Sequence, residues 1–311
     1  MDESVCSVSD PGPISALDGP QKVGLVGVGK MGLPIARHFH AGGHRVIVFD
    51  ALPDRTELAR AAGLSVGETL AAVLENADVV FSSLPHDGAF EAVAGEVAAR
   101  AGPGQLYVDT STVSLSASQR VAHAFYAAQV PYLRVAVSGN PKMVENARLT
   151  SIASGPHVEY QRVRALLKLL GPAQFYVGSG DEARVMKLVI NLMVANTAGM
   201  LAEALAFGQK GGLDWGDMWQ VISASAVGSP IVKAKSDQLK QYDFTPTFTV
   251  GQMQKDMSLI LEAGAALHVP LLLTAVVAQS LQSAVAIGAA GEDYAALIKV
   301  AQQSAGLPLH A

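Results

Sequence analysis

The chain has 311 residues, of which 50% are hydrophobic and 16% are charged, and its formal net charge is −5. This length is enough for two domains of ordinary size. The negative charge gives no electrostatic reason to expect a nucleic-acid partner. A single cysteine, Cys6, excludes an internal disulfide and a cysteine-based metal site. The eight histidines show no metal-binding spacing, so we expect no metal.

Residues 1–20 are rich in Ser, Asp, Pro and Gly and lack the basic start and apolar core of a signal peptide. We therefore expect a disordered leader and a cytoplasmic protein. Two apolar stretches, Leu188–Phe207 and Val269–Ala290, are long enough to resemble membrane spans. Each carries several polar side chains, which are costly in lipid. We interpret both as buried helices and expect no membrane partner.

Between Lys22 and Gly178, short β-type segments alternate with helical ones. Such alternation, with near-continuous apolar strands, predicts a parallel sheet covered by helices on both faces, a Rossmann-like doubly wound α/β fold. We assign it to residues 21–180. The predicted strands are Val23–Val28, Arg45–Phe49, Val79–Leu84, Leu106–Asp109, Tyr132–Val137, Leu149–Ala153 and Phe175–Gly178. The predicted helices are Met31–Ala41, Arg55–Ala62, Glu68–Glu75, Phe90–Arg100 and Ala117–Ala128.

A Gly-x-Gly-x-x-Gly segment, Gly27–Gly32, joins the first strand to the first helix. In such a loop the glycines permit a tight turn, close approach of a pyrophosphate and close packing of helix on strand. The phosphates then meet the N–H groups and positive dipole at the helix start. Asp50 ends the next strand. A carboxylate at this position accepts hydrogen bonds from the ribose hydroxyls and repels a 2′-phosphate. Because no Lys or Arg occupies positions 51–54, we expect NAD, with NADP less favoured.

The strand signal ends after Gly180. Asp181–Lys210 predicts one helix that stops at a pair of glycines. It would be about 45 Å long, enough to lie along both domains, and its apolar middle predicts burial on all sides. Further helices are predicted near 214–225, 230–240, 250–267, 270–289 and 292–303. Residues 181–311 are therefore predicted to form an all-α C-terminal domain, joined to the sheet domain by a long interdomain helix, with the active site between the domains.

Further motifs follow in a fixed order along the chain. They are Gly27–Pro34, Asp109–Thr112, Val137–Asn140, the Gly178–Asn191 segment that contains Lys187, and Lys255–Met257. Over roughly residues 22–305 this ordered set resembles the β-hydroxyacid dehydrogenase family, which includes 3-hydroxyisobutyrate dehydrogenase and tartronate semialdehyde reductase. The resemblance implies an NAD-dependent oxidoreductase that interconverts a small β-hydroxy acid and its oxo acid or semialdehyde.

Lys187 and Asn191 are four residues apart, so their side chains share one face of the helix. The resemblance implies that Lys187 is the catalytic acid/base and that Asn191 orients the substrate. To accept a proton at neutral pH, Lys187 needs a pKa near roughly 7–8. Desolvation or a nearby cation, for which Lys255 is the candidate, would lower the pKa in this way.

The loop pattern and the resemblance together assign the remaining contacts. The predicted substrate-binding residues are Ser111, Ser138, Gly139, Asn140 and Lys255. The predicted cofactor-binding residues are Gly27, Val28, Gly29, Lys30, Met31, Gly32, Asp50, Leu84, Pro85, Thr112 and Lys255.

The chain departs from the family at two places. Arg134–Ala136 stands where the family has Asp-Ala-Pro, and Asn140 replaces a glycine. We expect a changed substrate, not a lost activity. The alternatives are an imine reductase-like enzyme and a non-catalytic NAD-binding interaction module, and Lys187, which relatives of both kinds usually lack, counts against each. The charged fraction is below the average of about 25%, and we expect a homodimer or homotetramer around the long helix.

Overall fold

The computed structural model describes residues 19–308. Residues 1–18 of the predicted leader lie outside this range. The strands are β1 Lys22–Val26, β2 Arg45–Phe49, β3 Ser65–Val66, β4 Val79–Ser82, β5 Leu106–Asp109, β6 Tyr132–Ser138, β7 Thr150–Ser154 and β8 Ala173–Gly178.

Helices cover the sheet, and after β8 the described chain contains only helices. They are α1 Gly32–Ala41, α2 Pro53–Ala61, α3 Leu70–Glu75, α4 Asp87–Arg100, α5 Leu115–Ala127, α6 Pro141–Glu145, α7 His157–Lys168, α8 Glu182–Lys210, α9 Trp215–Ala224, α10 Pro230–Lys240, α11 Val250–Ala266, α12 Leu272–Ala286 and α13 Leu297–Ser304, with a 3-10 turn at Tyr294–Ala296.

The strands form one eight-stranded sheet in the order β3-β2-β1-β4-β5-β6-β7-β8. The strands from β3 to β6 in this order are parallel to one another. The carboxyl ends of β1, β4, β5 and β6 therefore meet at one edge, and the chain order reverses between β1 and β4. Open α/β sheets bind ligands at this kind of switch point. The predicted Rossmann-like domain followed by a helical domain is confirmed.

Successive strand residues point to opposite faces of the sheet, and each face has its own core. Phe81 packs in a cluster with residues of α1 and α7, whereas the adjacent Val80 packs with residues of α3, α4 and α5. Because both faces are buried, the strands need apolar residues at consecutive positions.

The sheet domain differs from the sequence prediction in several places, of which the unpredicted two-residue strand β3 and the unpredicted short helix α6 are the smallest. Strand β7 is antiparallel to β6, because the segment 139–149 contains only the short helix α6 and a parallel return needs a crossover of about a dozen residues or more. Helix α7 was not predicted. Its buried Tyr160, Val163 and Leu167 have helical spacing, so the signal was present in the sequence.

Helix α8 packs against β6 and β7 near its start and against α11, α12 and α13 beyond. By length and composition alone this helix could cross a membrane, yet Arg184 and Asn191 make buried polar contacts with the rest of the chain. The prediction of burial on all sides is wrong for this chain. A stripe of apolar residues spaced seven apart on α8 is 40–82% exposed. Its members are Met186, Met193, Met200 and Phe207.

Candidate active site

The glycine-rich loop lies where β1 turns into α1. Gly27 has a φ of +88°, and a Cβ on Gly27 or Gly32 would collide with backbone oxygen atoms of the protein itself. By contrast, a Cβ on Gly29 would meet nothing within 4 Å. The fold therefore requires the first and third glycines, and the second leaves open space beside the start of a ten-residue helix. This cradle fits the pyrophosphate of a dinucleotide.

Asp50 stands beside this loop at the end of β2. Its Oδ2 accepts a hydrogen bond from Val28 N at 2.8 Å, and its Oδ1 accepts one from Leu52 N at 2.9 Å. An ionised carboxylate has about four acceptor positions. These two bonds fix its orientation and leave capacity for ribose hydroxyls.

The loops after β4 and β5 are bound to each other and to the helical domain. Leu84 N donates to Ser111 Oγ at 2.8 Å. Lys255, on α11, donates from Nζ to the carbonyl oxygen of Thr112 at 2.8 Å and to that of Pro85 at 3.4 Å. The structure thus brings Leu84, Thr112 and Lys255 together at the edge of the sheet where the glycine-rich loop lies.

Ser111 is placed differently from the predicted substrate contact. Its side chain is buried, and Oγ donates to Asp109 Oδ1 at 2.6 Å. A buried carboxylate must be hydrogen-bonded to be stable, and Ser111 meets this need. Its hydroxyl therefore stabilises the loop from within, through hydrogen bonds with Asp109 and Leu84.

Lys187 lies in the second turn of α8 and is half-buried. Its Nζ donates to the carbonyl oxygen of Val137, in β6, at 2.8 Å. Desolvation by burial lowers the pKa of Lys187, and the positive charge of Lys255 lowers it further, while the negative charge of Asp256 raises it. The net direction is downward, as an amine that must lose its proton near neutral pH requires.

Asn191 and Lys255 are linked by Asp256, a residue to which the sequence assigned no role. Asn191 Nδ2 donates to Asp256 Oδ2 at 2.6 Å, and Lys255 Nζ lies 3.1 Å from Asp256 Oδ1. Asp256 is only 2% exposed. The signal that could have found it is an acidic residue on the apolar side of a helix, next to a lysine that was already a candidate.

The predicted substrate loop begins where β6 ends at Ser138. Gly139 has a φ of +147°, and a Cβ there would meet the side chain of Leu149, so glycine is required. Asn140 caps helix α6, because its Oδ1 accepts from Met143 N at 3.0 Å. The replacement of a glycine by Asn140 therefore has a local structural reason.

Arg134, the other departure from the family, is also explained by structure. Its side chain is 7% exposed, and its Nε lies 2.7 Å from Asp181 Oδ1. The guanidinium lies 4.5 Å from the centre of the Tyr132 ring. Arg134 thus joins β6 to the start of α8, and this placement does not support a role for it in choosing the substrate.

A dinucleotide cradle and an ionisable amine, held where the sheet meets a helical domain, define a class of nicotinamide-dependent oxidoreductases. Residues 22–178 match the family model of the NAD binding domain of 6-phosphogluconate dehydrogenase. Residues 180–301 match that described as NAD-binding of NADP-dependent 3-hydroxyisobutyrate dehydrogenase.

Individual relatives agree with these matches. The chain is 31% identical to 2-(hydroxymethyl)glutarate dehydrogenase of Eubacterium barkeri, over 92% of this chain and 96% of that protein. It is 28% identical to 2-hydroxy-3-oxopropionate reductase of Escherichia coli, over 89% and 96%. The 3-hydroxyisobutyrate dehydrogenase of Mycobacterium tuberculosis, solved with L-serine, has a TM-score of 0.83 at 25% identity and covers 90% of this chain and 99% of its own. The chain belongs to the β-hydroxyacid dehydrogenase family of NAD(P)-dependent oxidoreductases.

Proposed function

We propose that this protein is an NAD-dependent dehydrogenase that interconverts a small β-hydroxy acid and its oxo acid or semialdehyde. The observation that carries this proposal is the placement of Lys187. Its amine has a lowered pKa and contacts β6, at the end of which the predicted substrate loop begins.

When bound, a nicotinamide would supply hydride exchange with the carbon that bears the substrate hydroxyl. During oxidation Lys187 accepts the hydroxyl proton, and during reduction it returns a proton to the carbonyl oxygen. Asp256 holds Asn191 in place by accepting one hydrogen bond from its Nδ2. The remaining hydrogen-bonding groups of the Asn191 amide orient the substrate oxygen. Ser138 and the N–H groups of Gly139 and Asn140 receive the substrate carboxylate, and Lys255 adds a positive charge beside it.

The relatives' names suggest a substrate class. A hydroxymethyl group on the carbon next to a carboxylate is common to 2-(hydroxymethyl)glutarate, 3-hydroxyisobutyrate and L-serine. We infer that the substrate of this chain is a 3-hydroxy acid with a substituent at carbon 2. The proposed preference for NAD over NADP is supported by Asp50, whose fixed carboxylate would repel a 2′-phosphate.

The test is an assay of nicotinamide absorbance with 3-hydroxy acids, with and without a 2-substituent, and with NAD and NADP separately. We expect turnover with NAD and a 2-substituted acid. Turnover of cyclic imines alone would support the imine reductase alternative. Nucleotide binding without turnover of any compound would leave a non-catalytic module.

We also infer that a second copy of this chain covers the exposed stripe on α8, in a homodimer or homotetramer. Exposed apolar surface of this kind marks protein–protein contacts, and α12, which packs against α8, also carries the exposed Leu272, Leu273 and Val276. Met193→Asp should lower the mass measured by light scattering, whereas Tyr126→Asp, at an 85% exposed aromatic residue of α5 in the sheet domain, should not. A cytoplasmic location stays a prediction from the sequence.

A further inference from the structure

The first turn of α8 carries a buried cation, Arg184, which the proposed mechanism does not use. It is only 2% exposed. Its Nη2 pairs with the Asp109 carboxylate and donates to Tyr132 Oη at 3.0 Å, and its Nη1 donates to the carbonyl oxygen of Ser111. A guanidinium offers its donors in a fixed planar fork, and here the fork joins α8 to β5, β6 and the turn that follows β5.

Asp109, the partner of Arg184, is fully buried at the end of β5. It accepts hydrogen bonds from Ser82 Oγ at 2.5 Å and from Ser111 Oγ at 2.6 Å. Ser111 Oγ in turn accepts from Leu84 N at 2.8 Å. The carboxylate therefore connects the ends of β4 and β5 with the loops that follow both strands.

These loops also receive the cation from the helical domain, because the carbonyl oxygens of Pro85 and Thr112 accept hydrogen bonds from Lys255 Nζ. Arg184 precedes Lys187 by three residues, so both lie within one helical turn. One guanidinium thus fixes both the start of α8, which carries Lys187, and the loops that bind Lys255.

Burial makes this link specific. A charge removed from water is stable only when it is paired and hydrogen-bonded. A planar guanidinium that binds both a carboxylate and a carbonyl oxygen fixes the direction of these contacts as well as their length. Small displacements of α8 along the sheet would break these bonds, so the position of Lys187 against the loops is set from inside the sheet domain.

We propose that Arg184 is a positioning residue that sets the place of the Lys187 amine against the loops at 84–85 and 110–112. The proposal rests on the proposed function, in which Lys187 transfers the proton. The glycine-rich loop is not among the contacts of Arg184. The effect of its loss therefore falls on turnover and on the protonation of Lys187, while the pyrophosphate cradle stays intact.

The first test is Arg184→Lys, which keeps a cation opposite Asp109 and loses the fork to Ser111. We expect kcat for hydroxy-acid oxidation to fall about 10- to 100-fold, the scale of a misplacement of about 1 Å. The pH profile should move upward as water reaches Lys187. Any change in the KM for NAD should be smaller than the fall in kcat, because the glycine-rich loop is intact. If Arg184 only stabilises the fold, Tm will fall while kcat and the pH profile of the folded enzyme stay unchanged, and that result overturns the proposal.

A milder pair of variants covers the case in which Arg184→Lys does not fold. Tyr132→Phe removes a hydroxyl that Arg184 contacts, whereas Tyr107→Phe removes a neighbouring buried hydroxyl that contacts Ser82. The two rings lie 5.8 Å apart in one stack, so they are closely matched. Because Ser82 Oγ also donates to Asp109, Tyr107→Phe acts on the network one bond further from Arg184. We therefore expect the larger fall in kcat and the larger upward shift of the pH profile in Tyr132→Phe. Equal effects of the two variants contradict a positioning role.

A measurement without turnover separates this proposal from the proposed function. The pH dependence of acetylation of Lys187 is followed by mass spectrometry, with the exposed Lys233 as an internal reference. Lys187 should react at lower pH than Lys233. In Arg184→Lys, the two lysines should be acetylated over nearly the same pH range. If no hydroxy acid is converted, the proposed function fails and this labelling still decides the role of Arg184. An unchanged labelling profile in Arg184→Lys or Tyr132→Phe overturns that role.

Discussion

The two ends of the candidate active site are built in different ways. The nucleotide end, at Gly27–Gly32 and Asp50, comes from one short stretch of chain and is fixed by backbone N–H groups. The proton-transfer end brings together α8 and α11 at the edge of the sheet, and it contains buried charges.

This difference predicts how each end fails. The nucleotide end depends on glycines, which have no side chain and so leave open space for the pyrophosphate. Adding a methyl group there should therefore weaken nucleotide binding. The proton-transfer end depends on charges held away from water, so it should fail when a charge is removed or neutralised. Variants at the two ends should therefore separate nucleotide binding from turnover.

The largest expected effect is that of Lys187→Ala. Loss of the proton-transfer group should lower turnover by about 10² or more, with the Kd for NAD unchanged because the cradle is intact. Lys233→Ala removes an exposed lysine and is the matched control in the same assay. Turnover that survives in Lys187→Ala would show that the assigned role is wrong.

Adding a methyl group to the cradle should give the converse result. Gly29→Ala meets nothing in the protein, so we expect an unchanged Tm. Overpacking against a bound pyrophosphate costs about 1–3 kcal/mol, which raises the Kd for NAD about fivefold to a hundredfold. Gly95→Ala, which also meets nothing, is the control, whereas Gly32→Ala should lower the Tm. Normal NAD affinity in Gly29→Ala would place the pyrophosphate elsewhere.

A change at Asp50 should alter the choice of nucleotide. A hydrogen bond to a charged group contributes about 1.5–3 kcal/mol, so Asp50→Ala combined with Ala51→Arg should weaken NAD about tenfold or more and improve NADP. The ratio of kcat/KM for the two nucleotides measures this effect, and Asp54→Ala is the control. An unchanged ratio would mean that the ribose is read by other residues.

The smallest of the measured changes is the position of the pH profile, which is read separately from any loss of overall rate. The lowered pKa of Lys187 means that oxidation should rise with pH as the amine loses its proton, and reduction should fall over the same range. Asp256 raises this pKa and Lys255 lowers it. Asp256→Asn should therefore move the profile of kcat/KM to lower pH, and Lys255→Met should move it to higher pH. Shifts in the same direction would contradict this account of the charges.

Most of the sheet could be predicted because its central strands β1, β4, β5 and β6 are buried on both faces and are therefore mostly apolar. Strands Arg45–Phe49 and Leu106–Asp109 have their predicted bounds. The direction of β7 could not be predicted, because it depends on the path of the connection after β6. Helix α7 was missed although its spacing was readable.

The sequence by itself determined the glycine-rich loop, the acid at the end of β2 and the shared helix face of Lys187 and Asn191. These features follow from local spacing and from the geometry of one strand, one turn or one helix. Only the tertiary structure decided that Asp256 holds Asn191, that Arg184 pairs with Asp109 and that Lys187 has a lowered pKa. The reason is physical: burial and charge pairing depend on which distant segments meet, and residue spacing does not record that.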